Sequence, residues 1–266
     1  MDKVALVTGV SSGIGRSAAE LLRDAGYLVF GTTRSGKGAP DGIRAVQLDV
    51  RDPASVKAAV AAVAAHNGRI DVLVNNAGGA LTGAIEETSI AEAQALFDVN
   101  FFGAARVTDE VLPLMRAARS GRVVFVSSVV GFLPAPYMGY YAASKHALEA
   151  LAETLDHEVR PFGVRAVLVE PGFAKTRIDE SGAQAAQALA DYAPARTRLA
   201  RQLAASVEHG DAPEDIARAI VRAATAKTPK PRYPVGKGAG TLNALRRYLP
   251  RGMFDKALRK RFQLDG

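Results

Sequence analysis

The sequence has no cysteine and no tryptophan, only four histidines, and aromatic residues at 6% of its 266 positions. Without cysteine there can be no disulfides, no thiol nucleophile and no Cys-ligated zinc or iron–sulfur cluster. The histidines (His66, His146, His157, His209) stand apart, with none of the spacings of a metal-binding helix, so no metal is expected. The G-x-S-x-G turn of serine hydrolases is also missing. No run approaches the roughly 20 apolar residues that cross a bilayer. Met1-Asp2-Lys3 leads straight into Val4-Ala5-Leu6-Val7, too short for a signal-peptide core, and a cytoplasmic protein is expected.

Charge is unevenly placed. Of 34 Lys+Arg and 27 Asp+Glu, residues 227–266 hold 11 basic residues against Asp255 and Asp265, leaving 23 against 25 in the remainder. The body is nearly neutral and the basic excess is a tail. A nucleic-acid-binding protein would carry its cationic footprint on the main surface, so nucleic acid is not an expected partner.

Short β-branched runs alternate with Ala/Leu-rich stretches. Strands are predicted at Val4–Thr8, Leu28–Thr32, Ala45–Leu48, Val72–Asn75, Val123–Ser127 and Arg165–Val169, and helices near 14–25, 53–66, 89–118 and 139–160. Continuous apolar strands suit a sheet covered on both faces, and strand–helix alternation implies right-handed crossovers, hence an α/β, doubly wound parallel sheet. Asp52 and Pro53 read as the N-cap and first turn of the second helix. Residues 172–212 interrupt the alternation after a strand's carboxyl end. They are expected to form a helical lid over a ligand; a plain surface insertion is the alternative.

Three constellations carry chemistry. The first is Thr8-Gly9-Val10-Ser11-Ser12-Gly13-Ile14-Gly15, between the first strand and first helix. Its glycines let backbone approach a pyrophosphate, and the N–H groups opening the helix bind anionic oxygens. At the end of the next strand, Thr33 and Arg34 stand where an acidic residue would favour NAD. A guanidinium there suits a 2′-phosphate, so NADP(H) is expected in preference to NAD(H), with Lys37 as a second basic candidate. An ordinary solvated arginine remains the alternative. The third is Tyr141-Ala142-Ala143-Ser144-Lys145, where spacing by four puts phenol and ammonium on one helix face. A neighbouring cation stabilises phenolate and makes tyrosine a better proton donor or acceptor. Taken alone, such a pair is more often a solvated face. Ser128, just past a strand, is placed to hydrogen-bond a substrate oxygen, or is simply a turn serine.

The ordered set T-G-x-x-x-G-I-G (8–15), Asp49, N-N-A-G (75–78), Asn100, Ser128, Y-x-x-x-K (141–145) and Pro171-Gly172 with Thr176 resembles the short-chain dehydrogenase/reductase family across roughly residues 3–235. The resemblance implies a single-domain Rossmann-type fold over 1–236 and an NAD(P)-dependent oxidoreductase acting on alcohols and ketones. It implies that Tyr141 is the catalytic acid/base, that Lys145 depresses its pKa and holds the nicotinamide ribose, that Ser128 polarises the carbonyl, and that Asn100 anchors a relay water. Gly9, Ser11, Ser12, Gly13, Ile14 and Gly15 would hold the pyrophosphate. Asp49 and Val50 would meet the adenine, Asn76, Ala77 and Gly78 would lie beside its ribose, and Pro171, Gly172 and Thr176 would border the nicotinamide. A catalytically silent dinucleotide sensor is the competing reading.

Phe132 to Met138, with Phe173 and Tyr192, suggest a pocket for a hydrophobic ketone or alcohol, and core packing explains them equally well. Residues 237–266 mix leucines and phenylalanines with arginines and lysines, and resemble the ends of bacterial relatives of steroid and retinoid dehydrogenases. They are expected to form a basic amphipathic extension near the substrate mouth or at a subunit contact, with an anionic membrane surface as the alternative. The resemblance further implies a homodimer or homotetramer built on the helices near 89–118 and 139–160, with Phe101, Phe102, Leu148 and Leu151 as contact candidates.

Overall fold

The structure, a computed structural model, describes residues 2–175, 183–236, 238–262 and 264. The chain alternates β1 (Val4–Thr8), α1 (Gly13–Asp24), β2 (Leu28–Thr33), β3 (Arg44–Gln47), α2 (Pro53–Asn67), β4 (Val72–Asn75), β5 (Leu81–Thr82), α3 (Ile90–Phe97) and α4 (Ala104–Ala117). It continues with β6 (Gly121–Val126), α5 (Gly139–Val159), β7 (Val164–Pro171), β8 (Ala183–Gln184), α6 (Ala193–Glu208), α7 (Pro213–Thr225), β9 (Arg232–Val235), α8 (Ala239–Tyr248) and α9 (Arg251–Arg261). Seven strands form one parallel sheet in the order β3-β2-β1-β4-β6-β7-β9. This is a Rossmann-type, single-domain α/β fold.

Strand side chains alternate between two separate cores. Val4 and Leu6, Leu73, Val123 and Phe125 face the helices α2, α4 and α5; Ala5 and Val7, Val72 and Val74, Val124 and Val126 face α1 and α7. Covering both faces explains why the central strands are apolar at every position. Strand order reverses between β1 and β4, and the carboxyl ends of neighbouring strands diverge there into a crevice, the place where open α/β sheets bind ligands.

Three features depart from the sequence expectation. The single helix foreseen over 89–118 is divided by a six-residue π-helical stretch, Asp98–Gly103. Widening the turn there carries Asn100 inward to a buried position, where its amide bonds to backbone outside the helix. The seventh strand, β9, was not foreseen. Its half-exposed Arg-Tyr-Pro-Val pattern is tolerable only at a sheet edge, where Pro234 need not donate. Leu148, a candidate for a subunit contact, is instead buried in the core beneath the sheet.

The segment expected as a lid starts and finishes at one place. Ala174 bridges Asp211, and the Lys175 and Asp211 amides donate to Asp211 O and Phe173 O, both at 2.9 Å. β8 pairs with β5 in a two-stranded parallel ladder, and α6 follows.

Candidate active site

The crevice is built first from the β1–α1 turn. Gly9 and Gly13 lie at φ +76° and +58°, backbone that favours glycine, and a Cβ on Gly15 would collide with Gly9 O and the Asn76 amide. Ser12, at the N-cap of α1, makes no side-chain cap, and the first turn contains no acidic residue. The opening N–H groups therefore lack an anionic partner of their own and suit a phosphate. The turn is fastened to β4 by Thr8. Its buried hydroxyl accepts from Asn76 N and Ala77 N, both at 3.0 Å, and donates to Val74 O at 3.3 Å. Asn76 Nδ2 reciprocates, donating to Thr8 O (2.9 Å) and Gly9 O (3.1 Å).

These loops wall a cleft of about 470 Å³. Gly9, Ser11, Ser12, Gly13, Ile14, Gly15, Arg34, Asp49, Val50, Asn76, Ala77 and Gly78, all singled out from sequence, line it together. Lys37 does not, and Arg51 takes the second basic position. Asp49 is already engaged: Arg51 donates to its two carboxylate oxygens at 3.0 and 2.7 Å. The hydrogen bond from Arg51, with the Arg34 charge adding to it, lowers the Asp49 pKa to about 2. Arg34 itself is exposed, with no ion pair among the described residues.

A second chamber, about 120 Å³, adjoins the first through shared walls at Ile14, Asn76 and Gly78. Ser128, Tyr141, Lys145, Pro171 and Gly172 line it. Tyr141 and Lys145 project from one side of α5, with Nζ 5.9 Å from the ring centroid. Lys145 is buried and donates to Val126 O at 3.0 Å. Burial lowers its pKa to about 8 against the opposing pull of Glu149, so the ammonium persists at neutral pH. Ser128 Oγ donates to Pro171 O at 3.4 Å, a long bond readily exchanged for a better acceptor. Pro171 and Gly172 are held by the unforeseen edge strand: Pro171 pairs with Val235, and Gly172 N donates to Val235 O at 2.9 Å. Thr176 lies outside the described residues.

Asn100 stands behind this chamber rather than on its wall. Its Nδ2 donates to Gly79 O (3.0 Å) and Ser144 Oγ (3.1 Å), and Oδ1 accepts from Gly79 N (2.8 Å). Both amide hydrogens are used, leaving only a second Oδ1 lone pair and the backbone carbonyl to hold a water.

Beneath α6 runs a larger groove of about 710 Å³, lined by Ala80, Tyr137, Leu199, Leu203, Val207 and neighbours, and sharing Leu203 with the Ser128–Tyr141 chamber. Within the apolar 132–138 run, Ala135 and Met138 line the chamber and Tyr137 the groove. Phe132 and Leu133 turn away, packing with Val129, Ala239 and Phe254 against the C-terminal helices. Phe173 lines the chamber; Tyr192 meets Tyr137 edge-on and donates to Glu86 at 2.8 Å.

Sequence reasoning missed what fastens the covering segment. Buried Glu87 accepts from Ala84 N (3.0 Å) and Leu189 N (2.9 Å) and ion-pairs with Arg196 of α6, while Glu92 accepts from Ala186 N at 2.9 Å. The signal was the acidic cluster Glu86, Glu87 and Glu92 just before and within α3. It looks like a solvated helix start until its partners, about 100 residues later, are in place.

A family model described as short chain dehydrogenase matches residues 3–187. The chain is 35% identical over 260 residues to a 3-ketodihydrosphingosine reductase of Bacteroides thetaiotaomicron, covering 97% of each. It is 33% identical over 274 residues to an NADPH-dependent 3-dehydrocapnine reductase of Ornithobacterium rhinotracheale, covering 97% of this chain and 96% of that one. The crystal structure of a short-chain dehydrogenase from Streptomyces avermitilis superposes with a TM-score of 0.82 at 38% identity, covering 97% of this chain and 98% of the other.

Proposed function

This chain belongs to the short-chain dehydrogenase family and is an NAD(P)-dependent oxidoreductase; from that premise we propose that it exchanges hydride between NADP(H) and a ketone/secondary-alcohol pair on a long apolar substrate. The observation that carries the reading is the convergence of Ser128, Tyr141 and Lys145 on one chamber opening into the glycine-lined cleft. The dinucleotide, when bound, supplies or accepts the hydride. Gly9 to Gly15 hold its pyrophosphate, Asn76, Ala77 and Gly78 flank its ribose, and Pro171 and Gly172 border the nicotinamide. Asp49 and Val50 bound the adenine end.

In the reducing direction the Tyr141 hydroxyl gives its proton to the substrate oxygen as negative charge develops there, and Ser128 donates a second hydrogen bond to the same oxygen. Lys145 lowers the cost of the resulting phenolate. A water on the Asn100 carbonyl or on the open Oδ1 lone pair returns a proton through Lys145. In the oxidising direction the same groups run in reverse.

NADP(H) preference rests on Arg34, exposed at the cleft with no ion-paired carboxylate among the described residues, which suits a 2′-phosphate. Apolar substrate rests on the groove under α6, which has Leu199 and Val207 on its wall and shares Leu203 with the chamber. Of the steroid-, retinoid- and acyl-like substrates expected from sequence, the acyl-like class is favoured here, in keeping with the 3-ketodihydrosphingosine named for the Bacteroides relative. In this reading residues 1–236 form the catalytic unit, 172–212 its lid and 237–266 an appended cover. A homodimer or homotetramer would use the half-exposed Phe102 beside Phe101.

Tyr141→Phe tests the mechanism. The variant should lose turnover, followed by NADPH absorbance over a panel of long-chain ketones, while binding NADPH as the parent does. Turnover at the parental rate would refute the assignment of Tyr141, and NADPH binding without turnover of any ketone by the parent would favour the silent sensor.

A further inference from the structure

The two C-terminal helices leave a surface that the catalytic reading does not use. Between Ala239 and Phe262 there are seven arginines and lysines and one acid, Asp255. All seven cations are exposed. Among them stand large apolar side chains in contact with solvent: Leu242 (39% exposed), Leu245 (43%), Tyr248 (79%) and Met253 (60%). Leu242, Leu245 and Tyr248 are spaced three apart and so share one side of α8. α8 and α9 are separated by Leu249-Pro250 and packed together, with the Arg246 guanidinium over the Phe254 ring at 4.9 Å. The hairpin is anchored to the body by Ala239 and Phe254 in their cluster with Val129 and Leu133, and Gln202 of α6 donates to Arg261 O at 2.6 Å. Phe262, at its end, lines the chamber that contains Ser128 and Tyr141.

We infer that the α8–α9 hairpin docks on an anionic lipid bilayer and brings the mouth of the substrate chamber to the membrane surface. Two observations select this occupant. Cations interleaved with protruding apolar side chains match anionic headgroups over acyl chains, since the cations meet phosphates while Leu245, Tyr248 and Met253 enter the interface. A nucleic-acid backbone would neutralise the charge and leave the apolar side chains in water. A second copy on a two-fold axis would set seven cations against seven. The hairpin also adjoins the chamber through Phe262, so docking there places the entrance beside the phase in which a long-chain substrate dissolves. The docking does not depend on the catalytic assignment.

The test is co-sedimentation of the full-length chain with vesicles of phosphatidylcholine alone or with about one-third phosphatidylglycerol. Partition onto the anionic vesicles should be about tenfold or more above that onto neutral ones, and should fall away at about 0.5 M salt. The double variant Leu245→Glu, Met253→Glu should lose the anionic partition while keeping the parental melting temperature and NADPH affinity, which shows that the body is intact. Equal pelleting with both lipids, or undiminished pelleting of the double variant, overturns the inference. So does failure to pellet with the anionic vesicles, and retention on a DNA duplex or a dimer that the double variant dissociates would then identify the occupant instead.

Discussion

Glu170 lies on β7 immediately before the Pro171-Gly172 turn, with its side chain fully buried. One carboxylate oxygen ion-pairs with Arg232, and the other has no hydrogen-bond partner among the described residues. Arg232 is shared: it also binds Glu149 at 2.5 Å and Glu153 at 2.7 Å. Burial, with the Glu149 charge adding to it, raises the Glu170 pKa from 4.5 to about 7, and Arg232 offsets only part of this. The sign follows. Between pH 4.5 and 7 the native carboxyl keeps a proton that the unfolded chain releases, so stability from this group is full below the unfolded pKa and is lost as pH rises to the folded one. Glu170→Gln does not titrate. Between pH 5 and pH 8 the parent should therefore lose about 2–3 kcal/mol relative to the variant. The assay is urea unfolding of both proteins at the two pH values, using the change in their stability difference so that a constant offset from the new amide cancels. A stability difference that stays the same at pH 5 and pH 8 would show that Glu170 does not hold its proton in the native state, and the reading of this cluster would fail.

Two further outcomes concern the cofactor cleft. Arg34→Asp removes a charge-assisted contact of about 1.5–3 kcal/mol and should weaken NADPH binding by about 10- to 150-fold while leaving NADH binding the same or tighter. Fluorescence titration of the two reduced dinucleotides measures this, and an equal loss for both would refute the role of Arg34. Thr8→Val keeps volume but strips two backbone N–H groups of their acceptor. It should weaken NADPH affinity by about tenfold and lower Tm, although Thr8 itself need not touch the dinucleotide; an unchanged Kd would show that the Asn76–Gly78 turn does not depend on that hydroxyl.

The central strands were legible because they are covered on both faces: β1 and β4 run over the predicted residues, and β2, β6 and β7 differ only at their ends. At the edges, β3 is displaced by one residue from the predicted Ala45–Leu48, whereas β9 resisted. Arg232 and Pro234 contradict strand pattern, and they are ordered by β7 beside them and by carboxylates from α5. Helix α7 went unread after the lid, although Pro213 at its start and the Ile216–Ile220 spacing marked it. The π-helical stretch is invisible to periodicity because Asn100 leaves the helical frame for a partner, Gly79, that only folding supplies. At the candidate site, the glycine turn and the Tyr141–Lys145 pair were readable as local spacings. The Asp49–Arg51 pair, the Thr8 fastening and the Glu87–Arg196 tie were not, because each depends on which of several polar side chains meet once the chain is folded.

Every wall of the glycine-lined cleft comes from residues 9–99, whereas the groove under α6 draws most of its lining from residues 184–208 and the hairpin follows later still. Inheritance can therefore act on the two separately. In the reading proposed above, replacement of residues 184–208 would retune the substrate accepted while leaving the glycine-lined cleft intact, and a change at Arg34 would do the converse.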